Sequence, residues 1–424
     1  MIKLTNNKKT ILIVRIIVIL IIIAVAIGSF FIFKTDLGKN VLPVVSLSVW
    51  GDERSKDIFL DAAENFKSAH SEEVNLQINI SEENESYCKN TVLSNPEKAA
   101  DVYVFIDDQF SELYKGGALK EITENKDTII SENGGETSGA IQASSIAGKL
   151  YAYPLASGNG YFLYYNSAYF NEKDVTDLDT ILNIAEKNNK KFSMDFTSGW
   201  YIYSFFKGAG LDVSANADGL TNKCNWNSTV TRYKGVDVAN AMLKIATHKG
   251  FINQTDEMLV EGIKDGSVIA AVNGAWNSKE IETAFGKNFA ATKLPEYTIN
   301  GDKVQMCSFS GYKLVGVNPH SKNIEWASKF AEYLTNRDVQ MRRYKKIGEC
   351  PSNINVIGSA KVELSPVVKA LTEQSKYAYK QDIAKSYWNA ACTFGISIAE
   401  GNTDKKDLQS LLDKLVTEIE VKQE

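Results

Sequence analysis

The sequence predicts an α/β protein built as two lobes with a hinge between them, and three observations carry that reading. Residues 45–115 alternate strand, helix, strand, helix, strand, helix, as an open α/β sheet requires. Residues 180–294 repeat the alternation as a second block. Between them lie two aromatic runs, Lys149–Leu155 and Tyr161–Asn166, separated by Ser157-Gly158-Asn159-Gly160. Aromatic residues suit a pleated, half-buried surface and the glycines interrupt it, so each run reads as a strand and the break as the place where the chain crosses between lobes.

The elements follow in order. Val45–Trp50 reads as a strand, Asp57–Ala69 as an amphipathic helix, Val74–Ile80 as an alternating strand, and Tyr87–Leu93 as a short helix. Asp101–Ile106 is nearly all apolar, as a buried strand should be, and ends in Asp107-Asp108-Gln109 before the helix Phe110–Lys115. Ligands of open α/β sheets gather at the carboxyl ends of strands, which puts the stretches 50–54 and 105–109 on one rim. In the second block the helix 180–188 leads to the strand Lys191–Phe196, and Thr197-Ser198-Gly199-Trp200-Tyr201 opens a helix through Phe206. Helices at 236–248 and 257–265 precede the small-residue strand Ser267–Val272, which ends in Asn273-Gly274-Ala275-Trp276-Asn277, and Phe289–Leu294 is again strand-like. Met306–Pro319 reads as the return crossing, helices at 323–334 and 338–346 follow, and the last 60 residues read as helical.

The 424 residues allow two or three domains at roughly 100–200 residues each. A net charge of −5, with no long Lys/Arg run beyond the N-terminus, excludes a phosphate-tracking groove and so a nucleic-acid partner. No Gly-x-Ser-x-Gly, His-Glu-x-x-His or phosphate loop is present, and His70, His248 and His320 fit no triad or metal spacing. Asp107 and Asp108 are adjacent and lack a partner acid at the gap glycoside hydrolysis needs. The chain therefore reads as non-enzymatic, with no cofactor and no metal. Cys88, Cys224, Cys307, Cys350 and Cys392 are odd in number, with no pair within forty residues, so free, mostly buried thiols are expected.

Residues 16–33 carry no charge, and eighteen helical residues span about 27 Å, close to a bilayer core. Lys3, Lys8, Lys9 and Arg15 precede the run, so the N-terminus should stay inside and the rest be exported. Residues 1–35 are thus a signal anchor or a signal peptide, and their length favours the uncleaved anchor. The expected location is the extracellular face of the membrane, tethered there or released after cleavage.

The chain resembles the extracellular solute-binding proteins of carbohydrate ABC transporters, and within them the maltose/maltodextrin binders. The resemblance rests on an ordered set: Asp101–Phe110, Gly117–Thr123, Gly148–Pro154, Tyr165-Asn166, Ala271–Trp276, Phe309–Val317 and Glu325–Leu334. It covers about residue 45 to the C-terminus. It implies a two-lobed periplasmic-binding-protein-like fold, with lobe one at 45–156 and 314–360 and lobe two at 157–308 and 361–424. It implies a binding subunit of an importer that captures a linear oligosaccharide, maltodextrin for preference, as a monomer, and delivers it to ABC permease subunits. The alternative is a membrane-tethered sugar sensor that presents its bound state to a signalling partner.

For the ligand site the resemblance places stacking aromatics at Trp276, Trp388 and the pair Trp200-Tyr201, for which lobe-core packing is the other reading. Asp108, preceded by Asp107, matches a carboxylate that bonds sugar hydroxyls, although an Asp here would serve equally as a helix N-cap. Asp52, Glu53 and Arg54 fall in the first rim loop, where the family places an acid and a base. The chain also departs from the maltodextrin binders. Asn159 stands in the loop where they carry a glutamate, Ser198-Gly199 replaces an acid before the aromatic pair, and Gln109 and Cys392 stand where they carry arginines. These departures imply that the stacking surface is kept while part of the charged rim is lost.

Overall fold

The computed structural model describes residues 8–36, 42–216, 220–359, 362 and 364–421. The chain divides into two units, one of Met1–Val45 with Lys67–Gln77 and the other of Ser46–Phe66 with Ile78–Glu424. The smaller unit carries the helix Lys8–Asp36, whose side chains from Ile13 to Ile27 are all exposed. In the same unit the Asn75 amide donates to the Pro43 carbonyl at 2.9 Å. The end of the apolar run expected at 16–33, beyond Ser29, lies outside the described side chains. Among the described residues no helix is long and apolar enough to cross a membrane.

The larger unit is organised on two five-stranded sheets, to which it contributes residues 46–51 and 78–82 of the first two strands named below. In the first the order is Asn75–Glu82, Val44–Gly51, Val102–Ile106, Tyr312–Val317, Tyr153–Ser157. Val102–Ile106 runs parallel to Val44–Gly51 and antiparallel to Tyr312–Val317, with Leu314 opposite Phe105. Val44–Gly51 alternates out and in, so Val45, Leu47 and Val49 face the core. Tyr103, Phe105 and Leu314 form the centre of that core with Cys88, Val92 and Leu113 from the flanking helices.

In the second sheet the order is Phe251–Ile252, Lys191–Ser193, Val268–Gly274, Tyr161–Asn166, Phe289–Thr292. Every residue of Val268–Gly274 is buried, which fits a central strand covered on both faces. Tyr161–Asn166 is antiparallel to it, with Leu163 opposite Val272. Both sheets are therefore mixed, since the chain enters the second sheet and returns to the first along antiparallel strands. The core here is the larger, centred on Phe192, Phe196, Phe205, Trp226 and Tyr387.

The chain passes between the sheets through Gly158–Gly160 and again at Gly311. A Cβ on Gly160 would lie 2.8 Å from the Phe309 carbonyl oxygen, so the two crossing segments touch only because this residue has no side chain. Ser157 fixes the first crossing by bonding Cys350 and Pro351, its amide to the Cys350 carbonyl at 2.8 Å and its hydroxyl to the Pro351 carbonyl at 2.6 Å.

The structure corrects three readings of secondary structure. The run Lys149–Leu155 is not one strand: Lys149–Leu150 forms a hairpin with Ser145–Ile146, and the sheet strand begins at Tyr153. The return crossing is broken at Gly311 into Ser308–Ser310 and Tyr312–Val317. The last 60 residues are not all helical, because Ala378–Lys380 pairs parallel with Ser308–Ser310. Two further hairpins, Val213–Ala215 with Asn222–Cys224 and Glu296–Ile299 with Asp302–Gln305, were not foreseen. All five cysteines are free, and all but Cys392 are buried.

Candidate ligand-binding site

A cavity of about 1120 Å³ opens beside the carboxyl ends of strands from both sheets. Nine of the ten residues singled out from the sequence line it: Asp52, Glu53, Arg54, Asp108, Asn159, Trp200, Tyr201, Trp276 and Trp388. The tenth, Asp107, is not among the lining residues. Its carboxylate accepts the Tyr312 amide at 3.0 Å, and burial raises its pKa to about 6.

One wall belongs to the first sheet and is charged. Asp52 caps the short turn that follows its strand, accepting the Ser55 amide at 2.9 Å. That bond turns Arg54 back over the strand ends. The Arg54 guanidinium lies 3.3 Å from Asp52, 3.6 Å from Glu349 and 3.8 Å from Glu85. Lys313, in the midst of an apolar strand, sends its ammonium between Glu85 and Glu349, and Glu349 also pairs with the buried Arg343. Burial opposes charge on Glu349, yet Arg343, Lys313 and Arg54 hold its pKa far below the ordinary carboxylate range. Glu85 goes the other way: burial raises its pKa, and Lys313 offsets this only in part. Oxygens of Asp52, Glu85 and Glu349 come within 4.8 Å of one another, the spacing of a cation site, and the Lys313 ammonium is the cation they surround.

Asp108 stands on the same wall. No side-chain bond caps either the Asp107–Gln109 turn or the helix Phe110–Lys115, so Asp108 is not a cap. Its Oδ2 accepts the Gln381 amide nitrogen at 2.8 Å and its Oδ1 is buried without a partner. Burial and the neighbouring Asp107 raise its pKa to about 7. Gln109, where the resemblance implies an arginine, is buried and structural. It accepts the Lys89 amide at 2.8 Å and donates to the Glu85 carbonyl at 2.7 Å, which fixes the backbone beside Glu85.

The other wall belongs to the second sheet and is aromatic. Ser198 caps the helix Gly199–Gly208 and sets Trp200 and Tyr201 at its first turn. Trp200 and Trp388 lie stacked at 6.5 Å with 29° between planes, and Phe309 backs Trp200 at 5.0 Å. Trp276 is held separately. Its indole N–H donates to Asp256 at 2.6 Å, and Asp256 also accepts the Tyr201 hydroxyl at 3.0 Å and the Asn273 side chain at 2.9 Å. Gly274 makes room for the ring, since a Cβ there would lie 2.0 Å from it. Across the cavity Arg54 donates to the Trp276 carbonyl at 2.9 Å, tying the two walls together.

The expected loss of rim charge needs correction. Ser198-Gly199 lacks an acid, but Asp195 lines the cavity from three residues earlier, oriented by Thr197, whose amide it accepts at 2.9 Å. Glu82, Glu83 and Glu85 also line it, at the end of the strand Asn75–Glu82. These acids were missed although the strand-end rule that found Asp52 and Asp108 applies to them equally. Lys313 carried a signal too, a lone charge within Tyr-Lys-Leu-Val-Gly-Val. Asp256 and Gln381 carried none, because each is placed by tertiary packing alone. None of the three histidines lines the cavity.

Stacked indoles opposite a wall of carboxylates suit a flat, polyhydroxylated solute. A two-lobed α/β fold with such a cavity defines the class of solute-binding proteins. The chain belongs to the bacterial extracellular solute-binding protein family, whose profile matches residues 61–370. It is a binding protein by family, not an enzyme. Among solved structures, one determined with acarbose is 28% identical, with a TM-score of 0.78 over 89% of this chain and 98% of that one. The ligand-free maltodextrin-binding protein of L. casei is 23% identical, with a TM-score of 0.73 over 89% and 99%. The maltotriose-binding protein of Thermus thermophilus, solved with maltotriose, is 17% identical, with a TM-score of 0.68 over 89% and 99%.

Proposed function

We propose that this chain is the substrate-binding subunit of a carbohydrate ABC importer. In this reading it captures a linear oligosaccharide, maltodextrin for preference, between lobe one (45–156 and 314–360) and lobe two (157–308 and 361–424). It works as a monomer at the extracellular face, held by its N-terminal segment or released from it, and hands the sugar to permease subunits.

The observation that carries this is the aromatic wall, with Trp200 stacked near Trp388 and Trp276 braced by Asp256. Flat indole faces match the axial C–H faces of glucose rings, while the lining carboxylates of the opposite wall suit hydroxyl donors. The likeness to a structure holding acarbose, an α-glucan mimic, adds support. Isothermal titration with maltose, maltotriose and longer maltodextrins tests the reading, with saturable heat expected for α-glucans. No heat with any glucan, and none with other glycans, would sink it.

A further inference from the structure

The cavity carries a charge imbalance that goes beyond recognition of hydroxyls. Eight carboxylates line it against two cations, Arg54 and Lys313. Both cations are already paired with acids. Arg54 is surrounded by Asp52, Glu85 and Glu349 and donates one hydrogen bond to the Trp276 carbonyl. Lys313 is wedged between Glu85 and Glu349. Of the lysines near the cavity, Lys56 pairs with Glu82, itself a lining acid, Lys89 pairs with Glu112, and Lys380 is close enough to Asp107 to lower its pKa. Glu85, only 7% exposed, has a buried Oε2 with no partner among the described residues, and neither has the buried Oδ1 of Asp108. Asp195 and Asp256 add acids on the opposite wall.

We propose that the cavity sorts ligands by charge: it takes neutral oligosaccharides, takes those bearing a basic nitrogen more tightly, and turns away acidic ones. This rests on the glycan reading above and names the class of glycan. A protonated amine beside Glu85 or Asp108 gives a buried carboxylate oxygen the charged donor it lacks, and charge-assisted bonds are the stronger kind. A carboxylate or phosphate entering the same space meets like charge and finds Arg54 and Lys313 already paired with acids, and burial keeps water from screening the repulsion.

Three open-ended derivatives of one sugar test this by titration into the full chain in detergent: maltotetraitol, its 1-amino-1-deoxy analogue and maltotetraonic acid. They match in length and in the opened terminal ring, so charge is the variable. The amine is expected to bind about tenfold tighter than the alcohol and the acid about tenfold weaker. Both gaps should persist in high salt, because buried charges are screened little. Glu85→Gln should narrow them, with Asp195→Asn as the companion variant should the first unfold on melting by circular dichroism. An acid that binds as well as the alcohol, an amine that binds no better, or a gap unchanged in both folded variants overturns the inference and leaves the glycan reading standing. No heat with maltotetraose, with any other glucan or with other glycans overturns the glycan reading, and this inference with it.

Discussion

The two walls of the cavity are built on different principles. The first-sheet wall is a buried ion network in which Lys313, Arg54 and Arg343 share Glu349, Glu85 and Asp52. Each of these charges depends on the others, because a charge taken out of water is tolerated only when paired. The second-sheet wall is a set of rings, Trp200, Trp388, Phe309 and Tyr203, stacked on one another and on a large apolar core. Its polar anchor is Asp256, which fixes Trp276. The charged wall should therefore govern whether the protein folds and which charge it admits. The aromatic wall should govern how tightly the solute is held.

Substitutions that separate stability from affinity would break or sharpen that contrast. The largest effect is expected for Glu349→Ala, which strands Arg343 and leaves Lys313 to Glu85. Removing one partner of a buried pair costs about 3–5 kcal/mol, to be read as a lower urea midpoint. Trp276→Ala should cost about 2–4 kcal/mol of maltotriose binding by titration while the urea midpoint moves little. Were the two substitutions to trade places in these assays, the division of labour between the walls would be wrong.

A third expectation is pH dependence. The pKa of Asp108 is raised to about 7 and that of Asp107 to about 6, each chiefly by burial, so the folded state binds more protons than the unfolded one between about pH 4 and 7. These two groups make stability fall as pH rises through that window. Glu349 has the opposite sign: its pKa is depressed, so its contribution is present above about pH 4 and lost in stronger acid. Asp108→Asn should raise the melting temperature at pH 8 and change it little at pH 4. A variant that melts below the parent at both pH values would show that the Asp108 charge stabilises the fold. The smallest effect is expected from Gln381→Ala. It deletes one hydrogen bond to Asp108, about 1 kcal/mol, and should tighten glycan binding about fivefold because the ligand no longer displaces an internal donor. Weaker binding would make Gln381 a ligand contact instead.

The aromatic wall was legible before the structure through the resemblance, which placed Trp200, Trp276 and Trp388, and local features fit that placement. Trp200 follows a Ser cap at a helix start, and Trp276 ends a small-residue strand in a Gly turn that the ring itself requires. Strand ends likewise pointed to Asp52 and Asp108. The acids at 82–85 were open to the same rule and overlooked, whereas Asp107 was placed on the rim but turns inward to bond Tyr312.

By itself the sequence determined the alternation of strands and helices and the glycine crossing at 158–160, because burial patterns, caps and turns act over a few residues, and its resemblance placed the aromatic stations. Only the tertiary structure decided the charged wall. It joins Asp52, Glu85, Lys313 and Glu349 from segments nearly 300 residues apart in the chain, and brings Asp256 to Trp276 and Gln381 to Asp108. Such contacts leave no trace in local composition, since a buried charge is set by partners the chain supplies only after both sheets have formed.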